Sequence, residues 1–359
     1  MDLRLIFWEA TRACNLECPH CRAQAQKERS SEELTTQEAK RFIESAASFS
    51  KPILVFSGGE ALLREDIYEL IRYADQLGLK STVATNASLI SLDTAMRLEE
   101  NNTQLVAVSI YGSNAKKHDT FCGRQGAFEK TLAGIKNLKE AGLNLQIHTT
   151  ITKNNLSDLE AIGNFAIEQG AIAYHVFFLV PVGRGKSIAG DEISAQEYEE
   201  AFNRLYDFQS RAPIRVKATC APHYYRVGRQ RGPAQVAPFP ARPEMAGPAG
   251  QRPDFSSFSA VTKGCLAGQG VCFISYKGEV FGCGYLPITA GDIRKQDFKD
   301  IWFESALFKD LRDNSKLKGK CGICEFKLIC SGCRARAYAQ TGDFLEEEPY
   351  CVYPFPLDK

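Results

Sequence analysis

The chain has 359 residues, 44% of them hydrophobic and 24% charged, with a formal net charge of +1. This is enough for one large domain plus a smaller one around a packed core, and the balanced charge excludes nucleic acid as the main partner. No apolar run approaches the roughly 18 residues that span a bilayer. The N-terminus carries no cleavable signal pattern, so a cytoplasmic protein without a membrane partner is expected.

In chain order, RLIFWEAT (4–11) reads as a strand and runs into TRACNLECPHCRA (11–23), which places Cys14, Cys18 and Cys21 in a C-x3-C-x2-C spacing. A helical pattern at 36–49 follows, opened by Thr35 and Glu38 as a capping box. Strand patterns then recur at 52–59, 80–87, 105–112, 143–152 and 173–183. Helical ones lie near 65–77, 92–100, 127–141 (stopped by Gly142) and 156–169. Six βα repeats with near-continuous apolar strands predict a parallel α/β sheet, doubly wound or a partial barrel. Polar and glycine residues gather where the strands end: Ser57-Gly58-Gly59-Glu60, Thr85-Asn86, Ser109 and Pro181 to Arg184. Ligands bind at that edge in either architecture.

A helix near 194–210 precedes a change of composition. The stretch from Gly228 to Pro253 is rich in Pro, Gly, Ala and Arg, and proline interrupts both helix and strand. It reads as a linker, or as a lid whose arginines meet an anionic substrate. The resulting division is 1–210, 211–258 for the linker or lid, and 259–359 for a cysteine-rich domain that metal must organise.

Thirteen cysteines are present, and in a reducing compartment metal or redox chemistry explains them better than disulfides. Three lie at 14–21 and eight between 265 and 351, while Cys122 and Cys220 stand apart. A structural zinc site uses four ligands and a disulfide framework an even number. Three thiolates around an iron–sulfur cubane leave one iron open, and an amino-acid-like chelate of one amine and one carboxylate fits that position. The paired glycines of Gly58-Gly59-Glu60 let backbone approach such a ligand closely, and the carboxylate offers a place for its ammonium group.

The C-x3-C-x2-C loop after strand one, the aromatic flank and the downstream Gly-Gly-Glu resemble the radical S-adenosylmethionine (SAM) superfamily. The resemblance implies a partial (β/α)6 barrel in which Cys14, Cys18 and Cys21 hold a [4Fe–4S] cluster whose unique iron chelates SAM. Gly58, Gly59 and Glu60 would contact the methionine end, and Asn86, Ser109, Val180 and Pro181 would line the SAM site. One-electron cleavage of SAM would release a radical able to take hydrogen from unactivated carbon. His20, between two ligands, reads as a packing residue.

The tail, Cys265-x6-Cys272-x10-Cys283 and then Cys321-x2-Cys324-x5-Cys330-x2-Cys333 and Cys351, resembles the SPASM extension with two auxiliary [4Fe–4S] clusters. Its last doublet is spaced by two residues where three is usual. The resemblance assigns Cys265, Cys272, Cys283 and Cys333 to one cluster and Cys321, Cys324, Cys330 and Cys351 to the other. The same thiols and spacings also suit zinc.

FWEATRACNLECPHCRA, FFLVPVGRG (177–185) and KATCAPHYYR (217–226) resemble the branch acting on iron tetrapyrroles, and within it the family that decarboxylates Fe-coproporphyrin III to haem b. That implies converting two propionates to vinyl groups, with an auxiliary cluster as electron acceptor and an external donor such as ferredoxin or flavodoxin. Arginines suit carboxylate recognition, which makes Arg184, Arg226, Arg229 and Arg231 candidates; Cys220 and His223 are candidate iron ligands. Tyr224 and Tyr225 pack on a porphyrin or in the core, His148 near SAM at the fifth strand end, and Cys122 is an inert buried thiol. The alternatives are a sibling acting on sirohaem-derived tetrapyrroles, a ribosomal-peptide maturase, and a non-catalytic haem carrier. Only thirteen residues precede Cys14, too few for the peptide-recognition domain that often precedes such barrels. The complete triad with Gly-Gly-Glu argues against the carrier.

Overall fold

The computed structural model describes residues 2–232 and 264–354, so most of the expected linker or lid lies outside the described residues. The chain begins β1 (Leu5–Thr11), α1 (Thr36–Phe49), β2 (Ile53–Gly58), α2 (Ile67–Gln76), β3 (Ser81–Thr85), α3 (Leu92–Glu100) and β4 (Thr103–Ser109). It continues with α4 (Ala115–Cys122), α5 (Ala127–Glu140), β5 (Leu145–Ile151), α6 (Leu159–Glu168), β6 (Ala173–Phe178) and α7 (Ala195–Arg211).

Local chemistry sets these boundaries. At α1 the Thr35 hydroxyl accepts from Glu38 N at 3.3 Å while the Glu38 carboxylate accepts from Thr35 N at 2.8 Å, which satisfies two helix-end donors reciprocally. α5 stops where Gly142 takes φ +77° and Leu143 N turns back to Leu138 O, a left-handed end that glycine adopts without strain. The apolar run at 173–183 yields only Ala173–Phe178 as strand. Beyond it Val182 N bonds Val180 O and Gly183 turns with φ +58°.

Two elements occupy what was expected to be linker: β7 (Arg215–Thr219) and α8 (His223–Arg231). β7 is short and alternates charged with apolar residues, so its strand pattern is weak in the sequence. It pairs in parallel with β6 and extends the six-stranded expectation to seven. β8 (Val271–Ile274), β9 (Glu279–Phe281) and β10 (Thr289–Asp292) come from the cysteine-rich segment. The sheet order is β10-β9-β8-β1-β2-β3-β4-β5-β6-β7, with β8 parallel to β1 and aligned Leu5↔Val271 to Trp8↔Ile274. The second domain thus prolongs the barrel sheet at its first strand.

Apolar side chains of alternate strand residues, such as Trp8, Phe56, Val108, Ile147 and Val176, pack outward under the helices. The opposite face turns into the barrel and carries polar groups: Gln146, His148, His175 and Lys217 interrupt the apolar runs at every second position.

Candidate functional site

The three thiols of the first motif sit in a loop leaving the C-terminal end of β1. Its backbone is fixed from several sides. Cys14 N bonds Gln26 O at 2.7 Å, and Cys21 N bonds Cys18 O at 3.1 Å. Arg184 reaches across from the end of β6, donating Nε to Cys18 O at 3.0 Å and Nη1 to Ala25 O at 2.6 Å. Its own N–H bonds Cys21 O. Arg184 therefore clamps the cysteine loop. Burial pushes the Cys14 thiol up to about 12, with Cys18 and Cys21 among the groups adding to the shift. The Cys18 thiol moves the other way, helped by a hydrogen bond from Cys122 and by the Arg184 charge. Cys122 thus lies beside the triad, its sulfur also 3.3 Å from His118 Nε2. His20 packs its ring edge on Tyr111 and against Phe121, with centroids 4.5 Å apart, the packing role expected of it.

The Gly-Gly-Glu turn lies against this loop. A Cβ on Gly59 would stand 2.2 Å from Ala13 O, and one on Gly58 2.3 Å from Thr11 O, so only glycine permits the close approach. Glu60 N bonds Ala13 O at 2.7 Å. The Glu60 side chain is fully buried and accepts from Asn86 N at 2.9 Å and Leu62 N at 3.3 Å. Asn86 Nδ2 donates to Asn15 Oδ1 at 2.9 Å, tying the β3 end to the cysteine loop. Ser109 bonds the Tyr111 hydroxyl. Gly58, Gly59, Glu60, Asn86, Ser109, Val180 and Pro181 all lie at or just beyond strand C-terminal ends. Gly59→Ala is expected to force the two loops apart, costing about 1–3 kcal/mol. Thermal unfolding of the wild type and the variant checks this.

The C-terminal thiols fall into two groups. Cys321, Cys324, Cys330 and Cys351 line one cavity together with His223 and Arg226. Among the described residues neither ring nitrogen of the buried His223 has a hydrogen-bond partner, although such groups ordinarily do. Cys265, Cys283 and Cys333 form the second group; burial raises the Cys333 thiol to about 12 and Cys283 to about 11, and Cys265 raises both. Cys272 departs from the expected set. It is 0% exposed on β8 and belongs to the apolar core, with Arg312 as its charged neighbour.

Residues 8–166 match the model of the radical SAM superfamily, and 265–333 that of an iron–sulfur cluster-binding domain, SPASM. The chain is 49% identical to "AdoMet-dependent heme synthase" of Methanosarcina barkeri, over 98% of this chain and 96% of that protein. The chain belongs to the radical SAM superfamily, in the family of the AdoMet-dependent heme synthases. A second relative of that description, from Oleidesulfovibrio alaskensis, is 44% identical over 98% of this chain and 87% of its own. The fold matches SuiB of Streptococcus suis bound to S-adenosylmethionine, with a TM-score of 0.72 at 18% identity, over 98% of this chain and 78% of that one.

A radical SAM enzyme of this family uses iron–sulfur clusters and SAM, and the residues fit them. A thiol at about 12, as at Cys14, is protonated at neutral pH when alone, and coordination by iron is what ionises such a group. The unpartnered His223 ring faces four thiols that a cluster would bring together.

The expected substrate residues do not converge. Arg184 is committed to the SAM-cluster loop. Arg226 is buried and paired with Glu199, and His223 faces the four-thiol cavity. Arg229 is exposed on α8, and Arg231 pairs with Asp207 at 2.6 Å. Tyr224 packs against Phe202. α8 carries His223 and Arg226 to the cavity of the four C-terminal thiols, a placement no local pattern announces.

Instead the strand register aligns Ser109, His148, His175 and Lys217 across β4 to β7. The two imidazoles stack with centroids 5.4 Å apart and planes 7° from parallel. Gln146 Nε2 lies 3.0 Å from His175 Nδ1 and also bonds His148 Nε2. Burial pushes His148 down to about 3 and His175 well below its usual value, so both rings are neutral. Burial alone lowers Lys217 to about 8, and among the described residues no carboxylate pairs with it. The inward carboxylate of β1, Glu9, is taken by Arg22 at 3.2 Å. The alternation of Gln146, His148 and Thr150 along LQIHTTI was the available sign of this polar face.

Proposed function

We propose that the enzyme oxidatively decarboxylates two propionates of Fe-coproporphyrin III to the vinyl groups of haem b. The carrying observation is the inward row of Lys217, His175 and His148, a half-buried cation with no carboxylate partner among the described residues, beside two neutral imidazoles. Gln146 donates to one nitrogen of each ring, so each neutral imidazole carries its N–H on the other nitrogen. One ammonium and two imidazole donors make a carboxylate site, and a propionate supplies the missing negative charge.

When bound, the cluster of Cys14, Cys18 and Cys21 with SAM supplies the hydrogen-abstracting radical at the strand ends, and a low-potential donor such as ferredoxin or flavodoxin supplies the electrons. Gly58, Gly59, Glu60, Asn86, Ser109, Val180 and Pro181 form the SAM cradle. The chain's own task is to hold one propionate on the Lys217 row, so that its neighbouring methylene faces that cradle, and to keep water out. The eight C-terminal thiols, or those that ligate, would hold two auxiliary clusters, whose chemistry would be to accept the electron that oxidative decarboxylation releases. The family relationship to AdoMet-dependent heme synthases supports this reaction over peptide maturation.

Lys217→Met is expected to weaken Fe-coproporphyrin III binding by about 10- to 100-fold, the worth of one charge-assisted hydrogen bond of roughly 1.5–3 kcal/mol. Anaerobic absorbance titration of the cluster-loaded protein measures it, and equal affinities would remove Lys217 from the substrate site. The pH dependence has a definite sign. Lys217 is charged below about 8, so porphyrin affinity is highest below that pH and falls above it. In Lys217→Arg the guanidinium stays charged and this fall is absent.

A further inference from the structure

We propose that Cys220, and not Cys272, is the fourth thiolate of the auxiliary cluster held by Cys265, Cys283 and Cys333. This rests on the reading of two auxiliary clusters.

Strand geometry removes Cys272. On β8 successive side chains point to opposite faces. Phe273 faces inward, where the Arg22 guanidinium lies 4.3 Å over its ring. Cys272 therefore points the other way, into the packed layer that holds Ile274, Trp302, Phe308 and Leu311. The Cys272 thiol has no exposed surface there.

Cys220 occupies the opposite situation. It immediately follows β7, at the strand edge where the other two thiol-bearing segments meet. Its carbonyl accepts from Arg336 Nη1 at 2.9 Å, and Arg336 lies in the helix that Cys333 caps. Two residues on, Pro222 abuts the residue before Cys265: a Cβ on Gly264 would come within 2.8 Å of Pro222 Cβ. Cys265 N in turn bonds Cys330 O at 3.1 Å. These backbone contacts bring the Cys220, Cys265 and Cys333 segments together; burial raises the Cys220 thiol, with Cys333, Cys283 and Cys265 adding to the shift. The charged neighbour of Cys272 is Arg312.

The backbone adds an independent observation. Cys220 sits at φ +58°, a left-handed conformation that residues with a Cβ adopt rarely and that concentrates at functional sites. Coordination forms one Sγ–iron bond, and the thiol proton leaves to solvent.

The test compares wild type with Cys220→Ala, Cys220→Ser and Cys272→Ala after anaerobic cluster reconstitution, by iron and sulfide analysis and by electron paramagnetic resonance of the reduced proteins. Three cubanes give about twelve irons in the wild type. Cys272→Ala is expected to match it. Cys220→Ala is expected to lose the resonance of one auxiliary cluster and fall towards about eight irons, with Cys220→Ser altering the same resonance. The SAM-responsive signal of the triad cluster reports intact folding in each. Full iron and unchanged spectra in Cys220→Ala, or a loss in Cys272→Ala equal to or greater than that in Cys220→Ala, would overturn the assignment while leaving two auxiliary clusters in place. About eight irons in the wild type itself would overturn the two-cluster reading and the assignment with it.

Discussion

Replacing Cys14, Cys18 and Cys21 together by alanine is expected to reduce SAM cleavage to background while leaving the rest of the molecule assembled. The triad loop is anchored by contacts that do not use the thiols: Arg184 to Cys18 O and Ala25 O, Arg124 to Asn15 O, and Asn86 to Asn15. The sheet beneath it is built from β1 and β2 residues such as Trp8 and Phe56, so the fold does not depend on the loop's sulfurs. Removing the three thiols leaves Cys122 as the neighbouring sulfur among the described residues, and a single thiol does not hold a cubane; Glu60 is held by Asn86 N and Leu62 N. Iron analysis should then show a loss of about four atoms, with the auxiliary clusters retained. Formation of 5′-deoxyadenosine under low-potential reductant, followed by chromatography, is the check.

The second large effect is at the junction of barrel and cysteine-rich domain. Arg336 is completely buried. It donates Nε to Glu192 at 2.9 Å, Nη2 to Leu179 O at 3.1 Å and Nη1 to Cys220 O, and lies 3.6 Å from Glu348. Glu348 in turn accepts from Cys333 N at 2.7 Å. One guanidinium therefore holds the end of β6, the segment after β7 and, through Glu348, the backbone of Cys333. Replacing such a group by well-packed apolar residues on all sides is sometimes neutral, but removing one partner strands the others. Arg336→Met leaves two buried carboxylates uncompensated, a loss of about 3–5 kcal/mol. Denaturant unfolding of the cluster-loaded protein measures it. Lower iron occupancy, confined to the auxiliary clusters, should accompany the loss because Cys333 and Cys220 lose their common anchor.

The barrel half was readable because its strands are long apolar runs and its helices carry their own stops, as at Thr35 and Gly142. β7 escaped because Arg215-Val-Lys-Ala-Thr219 is five residues long and half polar, and that polarity exists because one face lines the barrel interior. The triad and Gly-Gly-Glu stood out in the sequence, since a tight loop and a close backbone approach leave a local signature, and the family resemblance supplied the roles expected of them. The proposed carboxylate site did not stand out. Arginine suits carboxylates in general, but Arg184, Arg226 and Arg231 already have partners in the fold. The unpaired cation, Lys217, becomes conspicuous only when the strand register sets it beside His175 and His148. The family resemblance likewise grouped Cys272 with Cys265, Cys283 and Cys333, although the alternation of Val271-Cys-Phe-Ile274 carries it to the outer face.

The central claim, decarboxylation of an iron porphyrin held on the Lys217 row, is tested most directly by anaerobic turnover of the reconstituted enzyme with SAM, a low-potential reductant and Fe-coproporphyrin III. Mass spectrometry follows the porphyrin alongside 5′-deoxyadenosine. Stepwise loss of two carboxyl groups to the mass of haem b is expected, abolished in the triad variant and slowed in Lys217→Met at subsaturating porphyrin. Cleavage of SAM with the porphyrin unchanged would contradict it.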